Sequence, residues 1–467
     1  MIRRYIISAV AFILAAPALG QEGVSLPVPQ RVELDSGVVL LVHEKRDVPL
    51  VGLQAMIRGG AVTDPAGKAG LASLVAGLLE KGAGDRNAAA FAEAVDSVGG
   101  SLTSSAGLED ITISAEFLAR DADLMVELVA DMLLSPRFDA AETRKLRDRR
   151  IDLLRAAKDS DPRRLTALYG AAFLFGEHPY GAPVNGNEES LASLTQRDVR
   201  AYYDSYIGAN RLVISVVGDV DAATMIVWLS EAFADWRALE EPLPEVPIAE
   251  PESGRRVLLV DKPGATQTYF WIGNIGVARN YAQRAELDIA NTLFGGRFTS
   301  LLTDEMRIKT GLTYGASSVL LRPSTPGSVA VVSFTRTEST TEVIDLALSL
   351  LARLRDTGFD ADLIQSGKNY ILGLFPPRFE TASQLAAHFA NLETRGLDAS
   401  YINAYGPAVA NASEEAIRAV IADVYPSPED LVFVIIGDAD AIRESVAQYG
   451  PVTEMALTDM RFAPERP

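Results

Sequence analysis

The order of hydrophobic and polar residues along the chain predicts a mixture of strands and helices. Strands are expected where apolar residues alternate with polar ones or form short runs, in residues 39–43, 51–57, 111–117 and 212–217. Helices are expected over residues 68–80, 88–98, 121–134, 140–157 and 196–205. These elements do not alternate regularly, as they do in a doubly wound parallel sheet. We therefore predict the α+β class, with mixed β-sheets that carry helices mainly on one face.

The second half of the chain repeats the first. Residues 212–219, LVISVVGD, return as residues 431–438, LVFVIIGD, and Tyr206 and Tyr425 keep the same offset. Two further matches follow in the same order: Phe138-Asp139-Ala140 with Phe359-Asp360-Ala361, and Leu102-Thr103 with Leu312-Thr313. A repeat of this length indicates two homologous domains.

Residues 240–255, EEPLPEVPIAEPESGR, separate the two halves. The segment is acidic and interrupted by proline, so we expect a semi-extended linker rather than a buried element. It divides the chain into a first domain, residues 21–239, and a second, residues 256–467. A length of 467 residues also favours more than one domain.

Residues 1–20 have the features of a secretory signal peptide. Arg3 and Arg4 precede an apolar run, and Ala18 and Gly20 are the small residues that cleavage before Gln21 needs. The run is too short for a membrane span, and no later stretch offers one. Because an exported chain without cysteine suits the bacterial periplasm, we expect the protein there.

Composition argues against several classes of function. The chain has 43 Lys+Arg against 62 Asp+Glu and a net charge of −19, so it would not displace the counterions of a nucleic acid. Without cysteine there is no disulfide, thiol nucleophile or cysteine-ligated metal. We find no Ser–His–Asp triad, no paired catalytic carboxylates and no phosphate-binding glycine loop.

Residues 295–318, GGRFTSLLTDEMRIKTGLTYGASS, predict a helix that leads into a strand. Thr299 is the expected N-cap, Leu302 and Met306 share one helix face, and Gly311 is expected to end the helix in a left-handed conformation. Alternation over residues 312–318 predicts the strand.

Arg307 then lies in the last helical turn, and Tyr314 lies in the strand. Their guanidinium and phenol groups could converge on one acceptor, such as a peptide carbonyl. The alternative is that Arg307 only complements the helix dipole and that Tyr314 belongs to the core.

The helix predicted over residues 68–80 has an unusual second face. Its core stripe consists of leucine and valine, whereas the opposite face carries the small residues Ser73, Ala76 and Gly77. A glycine in mid-helix costs about 1 kcal/mol relative to alanine. Small residues at these positions could let another element approach closely.

Residues 70–77, GLASLVAG, resemble the zinc-binding helix of the M16 (pitrilysin/insulinase-like) peptidases, G-L-A-H-x-x-E-H. Ser73 and Gly77 take the two histidine positions, and Ala76 takes that of the catalytic glutamate. The third zinc ligand of the family is a glutamate on a later helix, and residues 146–157 contain none. Asp148 and Asp152 do not replace it. The resemblance therefore implies a degenerate site and no zinc in this chain.

The resemblance extends over nearly all of the chain after residue 20. It is carried by residues 58–60, 178–181, 217–219, 295–298, 307–314, 375–380 and 436–438. The chain looks most like the bacterial two-subunit branch of the family, in which a zinc-bearing chain has a zinc-less sister with an arginine–tyrosine pair seven residues apart. Arg307 and Tyr314 have this spacing.

This branch implies a non-catalytic subunit that positions substrate and is inactive alone. Arg307 and Tyr314 would bind the peptide or support the transition state at a zinc in the partner subunit of a heterodimer. The substrates would be peptides or unfolded chains. The alternative is a zinc-free scaffold or peptide-binding protein with no role in hydrolysis, since some zinc-free M16 relatives are architectural.

Two further expectations concern isolated positions. His43, His178 and His388 have no metal-ligand spacing, so we expect hydrogen-bonded structural histidines. The match of Leu102-Thr103 with Leu312-Thr313 places Ser104 opposite Tyr314 and Ser97 opposite Arg307. The duplicated fold would then not require the pair in itself.

Overall fold

The structure, a computed structural model, describes residues 24–251 and 253–464. The signal peptide predicted for residues 1–20 lies outside the described residues. Each half of the chain forms a six-stranded sheet. No helix in the described part is long and apolar enough to cross a membrane.

The first half mixes strands and helices as predicted. Its strands are β1 Gln30–Glu33, β2 Val39–Glu44, β3 Leu50–Arg58, β4 Gly82–Ala83, β5 Arg86–Asn87, β6 Ser101–Ala106, β7 Asp110–Leu118 and β8 Leu212–Gly218. Its helices are α1 Leu71–Leu79, α2 Ala88–Asp96, α3 Ala122–Leu134, α4 Ala140–Ser160, α5 Thr166–Phe175, α6 Glu188–Ser193, α7 Gln196–Tyr206 and α8 Ala222–Phe233. The pattern did not predict the helices α5, α6 and α8 or the strands β1, β4, β5 and β6, and α1 begins at Leu71 rather than residue 68.

The second half has the same kind of composition. Its strands are β9 Arg256–Asp261, β10 Gln267–Ile275, β11 Ala316–Leu321, β12 Ser328–Arg336, β13 Val432–Gly437 and β14 Val452–Ala456. Its helices are α9 Arg284–Asn291, α10 Leu301–Thr303, α11 Thr340–Thr357, α12 Ala361–Leu374, α13 Ala382–Thr394, α14 Ser400–Asn403, α15 Tyr405–Asn411, α16 Glu414–Val424 and α17 Ala439–Val446. Two π-helical turns, Thr292–Gly296 and Asp304–Lys309, flank α10.

The two sheets share one topology, as the sequence repeat predicts. Their orders are β1-β2-β8-β3-β7-β6 and β14-β9-β13-β10-β12-β11. In both sheets the third strand is parallel to the second and antiparallel to the fourth. Only the outermost strand differs, because β1 runs antiparallel to β2 whereas β14 runs parallel to β9. The prediction of two homologous α+β units is confirmed.

Each sheet carries most of its helices on one face and receives a helix from the other half on its second face. Helix α13 packs on β3 and β8 of the first sheet, and α5 packs on β10 and β13 of the second. The central strands β8 and β13 are consequently buried along their whole length. The amphipathic pattern did not predict this exchange, since it does not specify which sheet a helix covers.

Glycines allow these two exchanged helices to approach closely. A Cβ atom on Gly52 of β3 would lie 2.7 Å from the Cα atom of Ser383 on α13. A Cβ atom on Gly170 of α5 would lie 2.7 Å from the ring of Trp271 on β10. Both distances are shorter than van der Waals contact, so even alanine at either position would force the helix away from the sheet.

Residues 240–251 have no regular secondary structure, and the segment is held against the protein. The Nη2 atom of Arg211 donates to the carbonyl oxygen of Glu241 at 2.6 Å. The Nε2 atom of His178 lies 2.9 Å from the carbonyl oxygen of Pro247. Val246 and Ala249 pack against apolar residues beneath α5.

The predictions for residues 295–318 need three corrections. The N-cap is Ser300, not Thr299: its Oγ atom accepts a 3.4 Å hydrogen bond from the backbone N–H of Thr303. The strand begins at Ala316, so Tyr314 lies in the preceding loop. Gly311 does end the helix, with a φ angle of 65°.

The third correction concerns the internal repeat. Ile214 of β8 and Phe433 of β13 are equivalent positions of the repeat. Across the neighbouring strands, the residues paired in one row with Ile214 are Ala55, Ile113 and Ser104. Those paired in one row with Phe433 are Ile272, Val331 and Ser318. Ser104 therefore corresponds to Ser318 and not to Tyr314, and Leu102 corresponds to Ala316. The match of Leu102-Thr103 with Leu312-Thr313 was wrong, because a loop of different length precedes the edge strand in each half.

Candidate functional site

Arg307 presents an unpaired guanidinium beside an exposed aromatic ring. Its Cζ atom lies 5.0 Å from the ring centroid of Phe298, whose side chain is 64% exposed. The acids on the same π-helical turn are already paired: Lys309 lies 2.9 Å from Asp304, and Arg353 lies 3.0 Å from Glu305. In the described part of the chain the guanidinium of Arg307 makes neither a hydrogen bond nor an ion pair. Its donors are available to a ligand.

Tyr314 projects from the loop before β11 and is 81% exposed. The interpretation that it belongs to the core is wrong. Its hydroxyl has no partner among the described residues, and no hydrogen bond joins it to Arg307. Each residue is therefore free to bind something outside this chain.

The backbone around Tyr314 is fixed although its side chain is exposed. The backbone N–H of Leu312 donates to the carbonyl oxygen of Met306 at 3.1 Å. The buried hydroxyl of Thr313 donates to the carbonyl oxygen of Gly315 at 3.0 Å, and that of Ser333 donates to the same oxygen at 2.9 Å. These bonds hold the loop in place, which lowers the entropy cost of binding through Tyr314. A π-helical turn such as the one carrying Arg307 also frequently marks a functional site.

An open groove of about 770 Å³ lies along the other side of this turn. Phe298, Ile308 and Leu363 contribute apolar walls, and charged side chains form its rim. Phe298 borders both the groove and Arg307, whereas Arg307 itself does not line the groove.

The helix α1 carries the emptied zinc positions and lies at the edge of the first sheet. Ser73 is buried, and its hydroxyl donates to the Oδ1 atom of Asn185 at 2.7 Å. The carbonyl oxygen of Ala76 accepts a hydrogen bond from the hydroxyl of Ser104 on β6. The carboxylate of Glu80 accepts a hydrogen bond from the backbone N–H of Ser104. Burial raises the pKa of the Glu80 carboxyl. These groups belong to the packing of α1 against β6.

Arg150 of α4 fills the space that Gly77 leaves. Its Nη2 atom donates to the carbonyl oxygen of Ser73 at 2.8 Å and would lie 3.0 Å from a Cβ atom on Gly77. Burial lowers the pKa of Arg150 to about 10, so the guanidinium stays charged at neutral pH. The expectation that small residues admit another element is confirmed, and the element is α4. Sequence reasoning did not identify Arg150, although it lies within residues 146–157, where the family's third ligand was sought.

These residues do not fit a zinc ion. A hydroxyl, a methyl group and a hydrogen stand where two imidazoles and a carboxylate are needed, and a cation lies beside them. Asp148 pairs with Arg147 at 2.7 Å. Among the described residues, no cluster of three or more histidine and acidic side chains could hold a metal.

Each of the three histidines is held by structural contacts of its own. His43 packs edge-on against Phe389 with ring centroids 6.0 Å apart, and His388 lies 4.4 Å from the ring of Phe379. Burial lowers the pKa of both. The Nδ1 atom of His178 accepts the backbone N–H of Tyr180 at 3.1 Å.

Asp64 caps the start of α1. Its carboxylate accepts the backbone N–H groups of Gly70 at 2.8 Å and Ala72 at 2.7 Å. Burial raises the pKa of this carboxyl to about 7, although the N–H groups that it accepts oppose the shift. The sequence analysis did not identify this cap, because Asp64 lies outside the helix pattern.

The two candidate sites lie at corresponding edges of different sheets. Helix α1 flanks β6, the last strand of the first sheet, and Tyr314 precedes β11, the last strand of the second. No contact in the described part of the chain joins Arg307 or Tyr314 to the emptied zinc positions.

Comparison with known proteins identifies the family. The model for "Insulinase (Peptidase family M16)" matches residues 38–185, and that for "Peptidase M16 inactive domain" matches residues 193–371. An uncharacterized zinc protease of Mycobacterium leprae is 28% identical over 330 residues, which cover 70% of this chain and 74% of the relative. The non-peptidase homolog YmxG of Helicobacter pylori is 25% identical, with 75% and 81% covered.

A solved structure supports the fold. The peptidase M16 inactive domain from Pseudomonas fluorescens superimposes with a TM-score of 0.80 at 20% identity, covering 88% of this chain and 97% of that one. Family models match both halves of the chain, and the duplicated sheets and the degenerate helix α1 are consistent with them. The chain belongs to the M16 (insulinase) family of peptidases.

Proposed function

We propose that this chain is a non-catalytic subunit that positions substrate in an exported M16-type zinc peptidase, which degrades peptides or unfolded chains. The observation that carries the proposal is the contrast between the two sites. Arg307 and Tyr314 are free and held on a fixed backbone, whereas α1 offers no zinc ligand at Ser73, Ala76 or Gly77.

The chemistry of the pair suits an extended peptide. The guanidinium of Arg307 and the hydroxyl of Tyr314 are donors, and the backbone carbonyls of a peptide are acceptors. The ring of Phe298 lies 5.0 Å from the guanidinium carbon of Arg307. When a partner subunit covers this surface and excludes water, such hydrogen bonds become stronger. Arg307 and Tyr314 then orient the peptide for hydrolysis.

The hydrolytic residues would come from a zinc-bearing sister subunit. The two chains would form a heterodimer or larger assembly in which this chain alone is inactive. The exchanged helices α5 and α13 favour this arrangement, because they fasten the two halves of the chain to each other and leave the edges at β6 and β11 for contacts with another chain.

A second candidate is a zinc-free scaffold or peptide-binding protein without a role in hydrolysis. The observation in its favour is that one relative, from Helicobacter pylori, is described as a non-peptidase homolog. In that case Arg307 and Tyr314 would bind a peptide or partner without affecting any turnover.

Purification of the tagged chain from its native host separates the two candidates. We expect mass spectrometry to identify a co-purifying M16 chain with an intact zinc motif, and peptidase activity and zinc to depend on that chain. Stoichiometric zinc with peptidase activity in this chain alone would refute the proposal. Co-purification with partners that lack any peptidase activity would favour the scaffold.

A further inference from the structure

Arg297 lines the groove of about 770 Å³, and no carboxylate in the described part of the chain pairs with it. Its Nη1 atom donates to the hydroxyl of Ser366 on α12 at 3.1 Å, and its Cζ atom lies 5.9 Å from the ring centroid of Tyr370. The Nε atom is buried without a hydrogen bond, whereas the Nη2 atom has no hydrogen bond and remains accessible. The guanidinium is therefore held in place with one end open to a ligand.

The other charged side chains of the groove already have partners. Lys309 and Arg353 pair with the acids of the π-helical turn, and Arg418 lies 3.3 Å from Glu414. Asp360 caps the N-terminus of α12 through its side chain, where the helix dipole stabilises a carboxylate. The charge left for a ligand to balance is therefore positive.

Three large apolar side chains of the groove are exposed. Phe298, Ile308 and Leu363 are 64%, 59% and 43% exposed. They belong to the loop before α10, the π-helical turn and α12, so the walls of the groove exist only in the folded chain. Large apolar side chains exposed next to one another commonly mark a binding surface.

We propose that the groove binds a segment of an unfolded chain in which an aspartate or glutamate adjoins apolar residues. The carboxylate pairs with the Nη2 atom of Arg297. The hydroxyl of Ser366 accepts its bond from Nη1 and keeps its own proton for the same carboxylate. The apolar residues of the segment pack against Phe298, Ile308 and Leu363.

The carboxylate belongs to an internal side chain, because an unfolded chain has many acidic side chains and only one C-terminus. The inference rests on the proposed function, since it takes an unfolded peptide as the ligand. It adds a preference for acidic and apolar residues side by side, on a surface that Arg307 and Tyr314 do not line. The net charge of −19 does not prevent binding, because salt screens exposed charges beyond about 8 Å at physiological ionic strength.

The test is fluorescence anisotropy of the full chain, without a partner subunit, at physiological ionic strength. Three amidated peptides carry an N-terminal fluorophore. The first has one glutamate between leucines in a glycine–serine background, the second has glutamine instead of glutamate, and the third has serine instead of leucine. We expect the first peptide to bind at least about tenfold more tightly than either of the others, since each lacks one of the two interactions.

Arg297→Met should abolish the preference for glutamate over glutamine. Arg297→Lys should retain part of it, because lysine keeps the charge but not the planar donor group. Arg149→Met is the matched control and should retain the whole preference: Arg149 is exposed on α4, outside the groove, and its loss changes the net charge equally. Ile308→Ser should weaken the binding of both leucine peptides by a similar factor and leave their ratio unchanged.

Equal affinity of the wild type for the glutamate and glutamine peptides, a preference that survives Arg297→Met, or no binding of any peptide overturns the site. Self-association of the wild type that Ile308→Ser abolishes would assign the groove to a second copy of the chain and overturn the site as well. If Arg297→Met does not fold, the three peptides with the wild type, Arg297→Lys and Ile308→Ser still decide. Failure of this site leaves the proposed function to its own test, the activity of the assembled complex.

Discussion

The Nη2 atom of Arg150 lies 2.8 Å from the carbonyl oxygen of Ser73 and donates a hydrogen bond to it. Ser73 occupies the first histidine position of the M16 zinc motif, so an organic cation lies where relatives of the family bind a metal cation. In this chain Arg150 of α4 packs against the α1 positions that correspond to the zinc ligands of the family motif. Replacement of Ser73, Ala76 and Gly77 by the histidine, glutamate and histidine of the motif would leave the guanidinium of Arg150 in place.

This relationship predicts how zinc binding can be restored. The triple variant Ser73→His, Ala76→Glu, Gly77→His should bind zinc weakly, because Arg150 repels a divalent cation and even two unit charges about 4 Å apart repel by about 4 kcal/mol at an effective dielectric constant of 20. Addition of Arg150→Glu should raise the zinc affinity at least about 100-fold, measured by competition with a chelator. Addition of Arg149→Glu to the triple variant is the control and should have a much smaller effect. Equal zinc affinity with and without Arg150→Glu would contradict this account.

The exchanged helix α5 predicts a large effect of a small substitution. Gly170→Ala should destabilise the protein by about 1–3 kcal/mol, because the added Cβ atom would lie 2.7 Å from the Trp271 ring. Gly373→Ala is the matched control: Gly373 is also helical, and a Cβ atom there meets nothing within 4 Å. That change should stabilise by up to about 1 kcal/mol. Denaturant unfolding measures both, and a neutral Gly170→Ala would show that α5 does not pack tightly on the second sheet.

The cap of α1 predicts a pH dependence of stability. The pKa of Asp64 is raised from 3.8 to about 7 by burial. Since the folded state then holds this proton more tightly than the unfolded state, its contribution is present below pH 4 and is lost as the pH rises to about 7. The loss amounts to at most about 1.4 kcal/mol per pH unit. Asp64→Asn should flatten the stability profile between pH 4 and 7, as followed by denaturant unfolding.

The exposed Asp35 provides the control for this experiment. Asp35→Asn should leave the slope between pH 4 and 7 unchanged. A wild-type slope between pH 4 and 7 that Asp64→Asn leaves unchanged would contradict a raised pKa for the Asp64 carboxyl.

The sequence predicted much of the local secondary structure and the internal repeat. The core stripe of α1 and the four strands β2, β3, β7 and β8 follow from periodicity, the duplication follows from the repeated segments, and the structure confirms them. Tyr314 was misplaced because Thr313 and Gly315 mimic strand alternation, although their hydrogen bonds belong to a loop. No local pattern could show that α5 covers the second sheet. Arg150 was missed because a charged residue on a helix is normally solvated, and only its contact with Gly77 and Ser73 distinguishes it.

The most direct test of the proposed function is the turnover of an unstructured peptide by the assembled complex. Arg307→Ala and Tyr314→Phe should each lower kcat/KM by roughly 10- to 1000-fold, the range for removal of one donor to a transition state. Lys309→Ala, on the same π-helical turn, is the control and should leave kcat/KM within about twofold, as expected for an exposed ion pair. Unchanged turnover in both Arg307→Ala and Tyr314→Phe, with assembly intact, would contradict the assignment of this chain as a substrate-positioning subunit.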